Sequence, residues 1–474
     1  MSELVDQAPI ERPFFFCGIG GSGMLPLAQL AQGFGYVVAG SDRSYDQGRT
    51  PEKFKWLDEN GFTLFPQDAS GINSADQVLI ASAAVEDTVP EVARANELGC
   101  KRMTRAELLA ELFNEAGYSV AVGGTSGKST VTGMIAWIMA DADHDPTVMN
   151  GAVMKNFADE ANPFASARVG SPRVFVSEVD ESDGSIALYK PTIGVLLNVS
   201  LDHKSIEELR QLFGDFLAES GCAIINLDDE ESRELASRAS QKVTFGIHDQ
   251  SADITVEPDS IEQTPLSIRA VLIDNRTREV FPLELPMPGL HNLANALAAI
   301  AAMSAAGIEI TRCVYALGRF EGLARRFDVV GTSESGISVI DDFGHNPEKC
   351  AATLRTLKAT ESRVIAFFQP HGYGPLRQMG DELAQTFANE LGADDITIMC
   401  DPVYFGGTVD RSAGTERIID LIEQHGGSAQ HIGARDACGD KIVEIAKPGD
   451  RIVIMGARDD TLSAFAKSVF ERLS

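Results

Sequence analysis

Short apolar runs recur along this chain, each closed by glycine or a polar cluster and followed by apolar residues at every third or fourth position. "FFFCGI", "YVVAGS" and "QVLIAS" have the length and near-continuous apolar character of strands buried on both faces. "MLPLAQLAQGFG" and "VPEVARANELG" carry helical spacing between them. This alternation predicts an open, mostly parallel α/β sheet for the amino-terminal part of the chain.

A helix-like stretch, "TRAELLAELFNEAG", leads into "YSVAVGG", where the same rhythm restarts: strand, glycine loop, then the helix "STVTGMIAWIMADA". A domain boundary is placed near residue 115. Further strands are expected at "RVFVSEVD", "TIGVLLNVS", "CAIINL" and "KVTFGI". From "ADITVEPDS" to "FPLELPMPG" the alternation is more open and broken by turn residues, which predicts a small antiparallel region. "HNLANALAAIAAMSAAG" is an alanine-rich helix, started by His-Asn and stopped by Gly307. After "GRFEGLARRFDVVG" the strand-helix rhythm resumes in "ISVIDDFG", "RVIAFFQP", "DDITIMCD" and "DRIVIMGA". Three α/β domains are expected, at 1–115, 116–326 and 327–474, in keeping with a chain of 474 residues.

Composition narrows the classes. With 44% hydrophobic and 23% charged residues the chain reads as globular. Its 40 basic and 69 acidic residues leave a formal charge of −29. That balance argues against a nucleic-acid or anionic-membrane partner, since both need a basic face. No apolar run is long enough to span a bilayer, and "MSELVDQAPIERP" has acids where a signal peptide would have a basic segment. A cytoplasmic location is expected. Seven scattered cysteines with no CxxC fit reduced, mostly buried thiols.

Two glycine-rich loops carry the candidate chemistry. In "GGTSGKST" the standard phosphate-loop spacing would need glycine where Val122 stands, yet a phosphate cradle remains between a strand and a helix. Gly123, Gly124 and Gly127 allow backbone N–H groups, including those around Thr125, Ser126 and Thr130, to converge on phosphate oxygens. Lys128 supplies positive charge toward the β- and γ-phosphates, and the Ser129 hydroxyl is placed for Mg²⁺. This loop predicts binding of a nucleoside triphosphate. The earlier loop has Gly18, Gly20 and Gly23 in G-x-G-x-x-G spacing, with Asp42 about twenty residues on. By itself it fits a nicotinamide or flavin dinucleotide, another nucleoside diphosphate, or a tight packing turn. In "SEVDESDGS" four carboxylates (Glu178, Asp180, Glu181, Asp183) follow a strand in the domain that holds the phosphate loop. They are candidate Mg²⁺ ligands, because Mg²⁺ takes oxygen donors and shares phosphates. "NVSLDHKS" places Asp202 and His203 after another strand.

Six segments in order, "GGTSGKST", "SEVDESDGS", "LNVSLDH", "LHNLANALAA", "GLARRFDVV" and "DDFGHNP", closely resemble the Mur ligases, ATP-dependent amino-acid ligases of cell-wall precursor synthesis. "CGIGGSGM", "AGSDRS" and "ASAAVEDTVPEV" resemble the branch that acts on UDP-N-acetylmuramate itself, the alanine-adding and murein-peptide recycling ligases. The resemblance implies a Rossmann-like amino-terminal domain for the UDP-sugar, a central P-loop ATPase domain, and a Rossmann-like carboxy-terminal domain for the acceptor. One loop then serves a UDP-sugar and the other ATP. It implies transfer of the γ-phosphoryl group to the substrate carboxylate and capture of the acyl phosphate by an amine, in a cytoplasmic monomer or homodimer.

Residue by residue, the resemblance implies that Lys128 holds phosphates and that Ser129 and Glu178 hold the Mg²⁺ shared with ATP. It makes His203 the ligand of a second Mg²⁺. Asn292 and Asn295 match adenine-reading asparagines, Arg326 an arginine near the γ-phosphate with Arg325 beside it, and Asp342 a ribose-binding carboxylate with His345 adjacent. Closure of the third domain would complete this set. Gly20, Gly21, Ser22, Gly23, Met24, Asp42 and Ser82 fall where the UDP-sugar is held, and His371, Tyr373 and Arg377 near the acceptor. Two segments depart from the branch. "GHNP" has one histidine where the alanine-adding enzymes usually have two. "PHGYGPLRQM" has Gly372 in place of an arginine, with a basic residue returning at Arg377. L-Alanine is the first expectation for the acceptor, then glycine or serine, then a tripeptide.

Overall fold

The computed structural model describes residues 10–83, 85–200, 204–403, 414–457, 459 and 461–474. The first sheet is built from β1 (Ile10–Cys17), β2 (Tyr36–Ser41), β3 (Thr63–Phe65), β4 (Val78–Ala81) and β5 (Lys101–Thr104). Its order is β3-β2-β1-β4-β5, with every neighbouring pair parallel. The chain leaves β1 toward β2 on one side and reaches β4 on the other. The loop after β1 therefore opens at the point where strand order reverses, the usual ligand crevice of such sheets.

The central sheet comprises β6 (Tyr118–Gly123), β7 (Pro146–Met149), β8 (Ala167–Arg168), β9 (Ser171–Glu178), β10 (Ile193–Leu196), β11 (Cys222–Asn226), β12 (Lys242–Phe245), β13 (Ile254–Val256), β14 (Glu262–Gln263), β15 (Ile268–Asp274) and β16 (Glu279–Leu285). They run in the order β14-β15-β13-β12-β11-β10-β6-β9-β7-β8, with β16 on β15. β15 is antiparallel to β13 and β14, as the turn-broken pattern there predicts. β6 lies between β9 and β10 and is parallel to both, so the ends of those two strands flank the glycine loop that follows β6.

The third sheet joins β17 (Asp328–Thr332), β18 (Ser338–Asp342), β19 (Val364–Gln369), β20 (Ile396–Met399), β21 (Ala429–His431) and β22 (Arg451–Gly456). Its order is β17-β18-β22-β19-β20-β21. β3, β5, β7, β8, β17 and β21 were not foreseen, and all but β7 are edge strands. An edge strand is half exposed and lacks the continuous apolar run of a buried one. In β5, Lys101 and Arg102 face solvent.

By contact the chain divides into two compact units. One holds residues 1–260, 271–283 and 294–321, and the other residues 261–270, 284–293 and 322–474. Within the first, the helix Arg105–Asn114 joins the amino-terminal sheet to the central one. Thr104 and Glu107 form a reciprocal capping box at its start. Its face Leu108, Leu109, Leu112 and Phe113 is buried, and Phe113 packs edge-on against Phe175 and Tyr189 at 5.5 and 5.1 Å between ring centres. Each such side chain, fully buried, stabilises the fold by roughly 1.5–3 kcal/mol. The seven cysteines are unpaired, and burial raises the pKa of Cys17 to about 11 and those of Cys313, Cys400 and Cys438 to about 12. No described helix is long and apolar enough to cross a membrane.

Candidate active site

The glycine loop after β6 turns into the helix Lys128–Asp141, with Gly127 as its N-cap. Gly124 and Gly127 have φ of +136° and +87°. A Cβ at Gly124 would sit 3.0 Å from Leu197 and 3.2 Å from the Asn198 backbone, and one at Gly127 would sit 2.6 Å from Oδ1 of Asn295. The loop is held from outside. Ser126 donates its N–H to Asn198 Oδ1 at 2.8 Å, and Asn198 Nδ2 donates back to the Ser126 carbonyl at 3.1 Å. The Thr125 hydroxyl accepts from Ser200 N at 2.9 Å. The first-turn N–H groups of the helix have no side-chain cap, and Thr130 is buried in that turn. Such a helix end receives anions.

The carboxylate run after β9 divides by role. Ser129 Oγ donates to Glu178 Oε2 at 2.6 Å, and Asn150 Nδ2 donates to the Ser129 carbonyl at 3.0 Å. Glu181, nearly fully buried, accepts from Lys128 Nζ at 2.7 Å, and the same ammonium donates to the Gly124 carbonyl at 2.7 Å. Asp183 accepts from Ser185 N, closing a local turn. Burial would push the Asp180 carboxyl up. Hydrogen bonds from the Ser182 backbone and hydroxyl, with the charges of Lys128 and Arg105, outweigh it and hold the pKa below the usual range.

Oxygen donors and a helix N-terminus without a side-chain cap fit a triphosphate with Mg²⁺. Among the described residues no three His, Cys, Asp or Glu side chains converge on one point. Mg²⁺ is commonly bound by one or two carboxylates together with substrate phosphates, which matches Ser129 and Glu178. His203 and Asp202, read from the sequence as following β10, lie outside the described residues.

In the first loop, Gly18 N and Ile19 N donate to the Ser41 carbonyl at 2.8 and 3.0 Å, fixing the turn to the end of β2. Asp42 spends both oxygens on the protein, accepting from Gly20 N at 2.9 Å and Ser44 N at 2.7 Å. It braces the loop. A Cβ at Gly20 would meet the Phe54 ring at 2.8 Å. Gly21 N closes onto the Gly18 carbonyl at 3.0 Å, and Met24 opens the helix Met24–Gly33, whose N-cap Gly23 makes no side-chain bond. Ser82 directly follows β4, and its carbonyl accepts from Val85 N at 3.0 Å.

A cleft of about 310 Å³ connects the two loops, lined by Ser22, Gly23, Arg105, Lys128, Glu178 and Asp180 among others. Arg105 was not foreseen. Its side chain lies over Gly23, whose Cβ would stand 3.1 Å from Arg105 Cδ. Among the described residues its guanidinium takes part in no hydrogen bond or ion pair. A cation with no hydrogen-bonded partner, beside an uncapped helix N-terminus, is a ready receptor for an anionic ligand.

The second unit holds the remaining sequence-predicted residues except Asn295, which lies in the first. Asp342, at the end of β18, accepts from Phe327 N at 2.8 Å, Gly344 N at 2.8 Å and the Thr353 hydroxyl at 2.9 Å. Arg325 and Phe327 have φ of +61° and +50°, so Arg326 stands between two strained residues that Asp342 helps to hold. Both guanidinium groups lie over the Phe343 ring, 5.1 Å from its centre for Arg325 and 5.0 Å for Arg326. Arg325 is tied to the Gly456 carbonyl at 2.7 Å and faces Asp341 at 3.5 Å. Burial pushes the Asp341 carboxyl up, against the lowering effect of the Ser463 hydroxyl and Arg325.

His345 Nδ1 lies 2.9 Å from the Phe343 carbonyl, and its ring packs edge-on to His371 at 5.4 Å. Burial drives the His345 pKa down to about 4, so the ring is neutral near pH 7. Gly372, with φ of +147°, caps the helix Tyr373–Glu390, whose amino-terminal part carries Tyr373 and Arg377. Asn292 is buried in the first turn of the helix Leu290–Ala305, and its Nδ2 donates to the Pro288 carbonyl at 2.7 Å. That helix begins before His-Asn, at Leu290. Asn295, on the same helix, packs against Gly127.

Comparison with known proteins decides the family. Residues 13–116 match the Mur ligase family catalytic domain, residues 122–303 the Mur ligase middle domain, and residues 325–458 the Mur ligase glutamate ligase domain. The chain is 35% identical over 468 residues to a UDP-N-acetylmuramate–L-alanine ligase of Brucella anthropi, covering 95% of each chain. The chain belongs to the Mur ligase family. A ligase of the same name from Geobacter sulfurreducens is 32% identical, with 93% of this chain and 94% of the relative covered. Among solved structures, the UDP-N-acetylmuramate-alanine ligase of Thermotoga maritima superposes with a TM-score of 0.79 at 25% identity, covering 97% of this chain and 98% of that one. A murein peptide ligase of Psychrobacter arcticus shares the fold, with a TM-score of 0.69 at 24% identity and coverage of 97% and 98%.

The three-domain α/β Mur ligase architecture expected from the sequence is the one observed. In this Mur ligase, three contributors carried no motif signal of their own. Arg105 opens a helix that reads as purely structural. Asn198 sits inside a segment noted for its histidine. Glu181 is one of four acids, and only its contact with Lys128 sets it apart.

Proposed function

We propose that this chain is an ATP-dependent amide ligase that joins an amino acid, L-alanine in the first instance, to the lactyl carboxylate of UDP-N-acetylmuramate. The observation that carries the reading is the cleft joining two glycine-rich cradles on one compact unit, with Arg105 and Lys128 along its length. The sequence relatives that carry this activity in their names match nearly the full length of the chain.

ATP with Mg²⁺ supplies the phosphoryl group that turns an unreactive carboxylate into an acyl phosphate. The protein contributes position and charge. The uncapped helix start at Gly23 and the Arg105 guanidinium hold the pyrophosphate side of the sugar nucleotide. Its acid end then points along the cleft toward Lys128. The loop amides around Gly124–Thr130 and the Lys128 ammonium bind phosphate oxygens, and Ser129 with Glu178 provides the metal's protein oxygens. Asn295, against Gly127, lies beside the nucleotide loop. By their motifs, Arg326, Asp342 and His345 are assigned to ATP, and His371, Tyr373 and Arg377 to the acceptor. His203 is assigned to a second Mg²⁺ on the strength of the motif "LNVSLDH".

A second reading keeps the reaction and changes the acceptor to a peptide. It is favoured by the glycine at position 372, which removes a carboxylate-gripping side chain from the start of the helix Tyr373–Glu390. One experiment separates the two. The protein is incubated with UDP-N-acetylmuramate, Mg-ATP and a pool of amino acids and short peptides, and the product is identified by mass. A product heavier by one alanine residue supports the first reading, and a peptide adduct the second. ATP turnover indifferent to UDP-N-acetylmuramate overturns both.

A further inference from the structure

Among the described residues, the Lys128 ammonium has three N–H donors and two protein acceptors, the Gly124 carbonyl and Glu181 Oε2, both at 2.7 Å. Glu181 is a buried partner with a side-chain exposure of 5%, while Lys128 keeps 19% and faces the cleft. A carboxylate is seldom buried unless it is paired, and this one is paired with the residue that must meet the triphosphate. Glu181 is fixed in turn by its own backbone. Its carbonyl accepts from Gly184 N at 3.1 Å in the turn that Gly184 closes with φ of +78°. The carboxylate does not travel with the loop. It belongs to the segment after β9, the neighbouring strand.

We propose that Glu181 is a positioning residue for phosphoryl transfer, which pins the Lys128 ammonium so that its third donor projects into the cleft. The inference rests on the ligase reading above. Two of the three donors are committed before any nucleotide arrives, and rotation of the ammonium on its flexible stem is stopped. A lysine left to swing would bind phosphate in many geometries, of which few match the transferring group. The arrangement has a cost in the ground state. A negative charge close to the phosphate-binding ammonium opposes a polyanion and weakens its binding. Glu181 therefore gives up nucleotide affinity and gains placement.

The test separates these two effects in the full-length protein. E181Q keeps the shape of the side chain and removes the charge, and E181D keeps the charge on a shorter stem. Four quantities are read: equilibrium binding of ATP in EDTA, steady-state kcat and KM for the wild-type reaction, and Tm. For E181Q the expectation is several-fold tighter binding of metal-free ATP, at least a tenfold fall in kcat, and a KM for UDP-N-acetylmuramate within twofold of wild type. E181D should recover part of the lost kcat. Opposite movement of binding and turnover is the signature. If kcat stays unchanged while binding tightens, Glu181 is only a local charge and the proposal is overturned. It is also overturned if binding and kcat fall together with Tm, as for a purely structural residue. If E181Q does not fold, E181D alone decides: wild-type kcat with altered Tm refutes the role. Binding of ATP in EDTA does not depend on the acceptor or on the sugar, so a wrong substrate assignment would leave this arm readable.

Discussion

The Ser129 hydroxyl and Glu178 Oε2 stand 2.6 Å apart, linking the first turn of the phosphate-loop helix to the end of the strand beside it. The bond joins two elements that are far apart in sequence. It brings a neutral oxygen and an anionic one to the place where a hard divalent cation would sit against phosphates. A Cβ at Gly151 would meet Glu178 Oε1 at 2.2 Å, so the other carboxylate oxygen is crowded into place by backbone.

Replacing either partner should therefore affect the metal more than the fold. S129A and E178Q are expected to lower kcat on the order of 10²-fold or more and to raise the Mg²⁺ concentration needed for half-maximal rate. Tm should stay close to wild type, since the bond lies at the cleft, which Glu178 lines, and not in the apolar core. Mg²⁺ titrations of initial rate provide the check. A variant with an unchanged Mg²⁺ requirement would remove these two residues from the metal site.

Gly127 and Gly99 share a left-handed backbone, with φ of +87° and +73°, but differ in what surrounds them. An added Cβ at Gly99 meets nothing within 4 Å, whereas at Gly127 it meets Asn295 at 2.6 Å. G99A should cost about 1 kcal/mol from backbone strain alone and leave nucleotide binding untouched. G127A should cost more and abolish detectable ATP binding. Urea unfolding and ATP titration of the two variants side by side give the comparison.

Arg105 should separate the two ligands. R105A is expected to raise KM for the sugar nucleotide tenfold to a hundredfold, the equivalent of about 1.5–3 kcal/mol for a lost charged hydrogen bond. R105K should recover only part of this, because an ammonium cannot form the two-pronged contact. KM for ATP should change little. Equal effects on both ligands would place Arg105 outside the sugar-nucleotide end.

The buried ring of His345 sets a pH dependence of stability. In the unfolded chain it takes a proton near pH 6.5, and in the folded protein only near pH 4. Between those values the unfolded state binds more protons, so stability falls as pH drops from 6.5 and levels off below 4. The loss is on the order of 3 kcal/mol. His291, whose pKa burial also lowers, acts in the same direction. H345Q should flatten the acid limb of a urea-stability profile measured from pH 4 to 7.5, and an unchanged limb would mean that the ring is solvated.

Much of the fold was legible because its buried strands announce themselves locally. "FFFCGI", "YSVAVGG" and "RVIAFFQP" are apolar on both faces, and each lies in the interior of its sheet. The phosphate loop was equally plain, since glycine spacing and lysine position lie within one short segment. Contacts between distant segments were not legible. Glu181 finds Lys128 53 residues away, and Asn198 finds Ser126 72 residues away. No local pattern marks either pair. Asp42 is similar: its spacing from the first loop was plain, but its bonds from Gly20 N and Ser44 N were not.

The first sheet and the phosphate loop share one compact unit, bridged by the buried face of the helix that Arg105 opens. The two cradles are thus joined by packed, buried elements of one unit and not by a loose linker. On the proposed reading the cleft works as a ruler. A sugar nucleotide whose acid arm is one carbon short would leave its carboxylate adrift from the phosphoryl donor, and one with a longer arm would jam against it. On the proposed reading, discrimination by reach precedes the choice of acceptor.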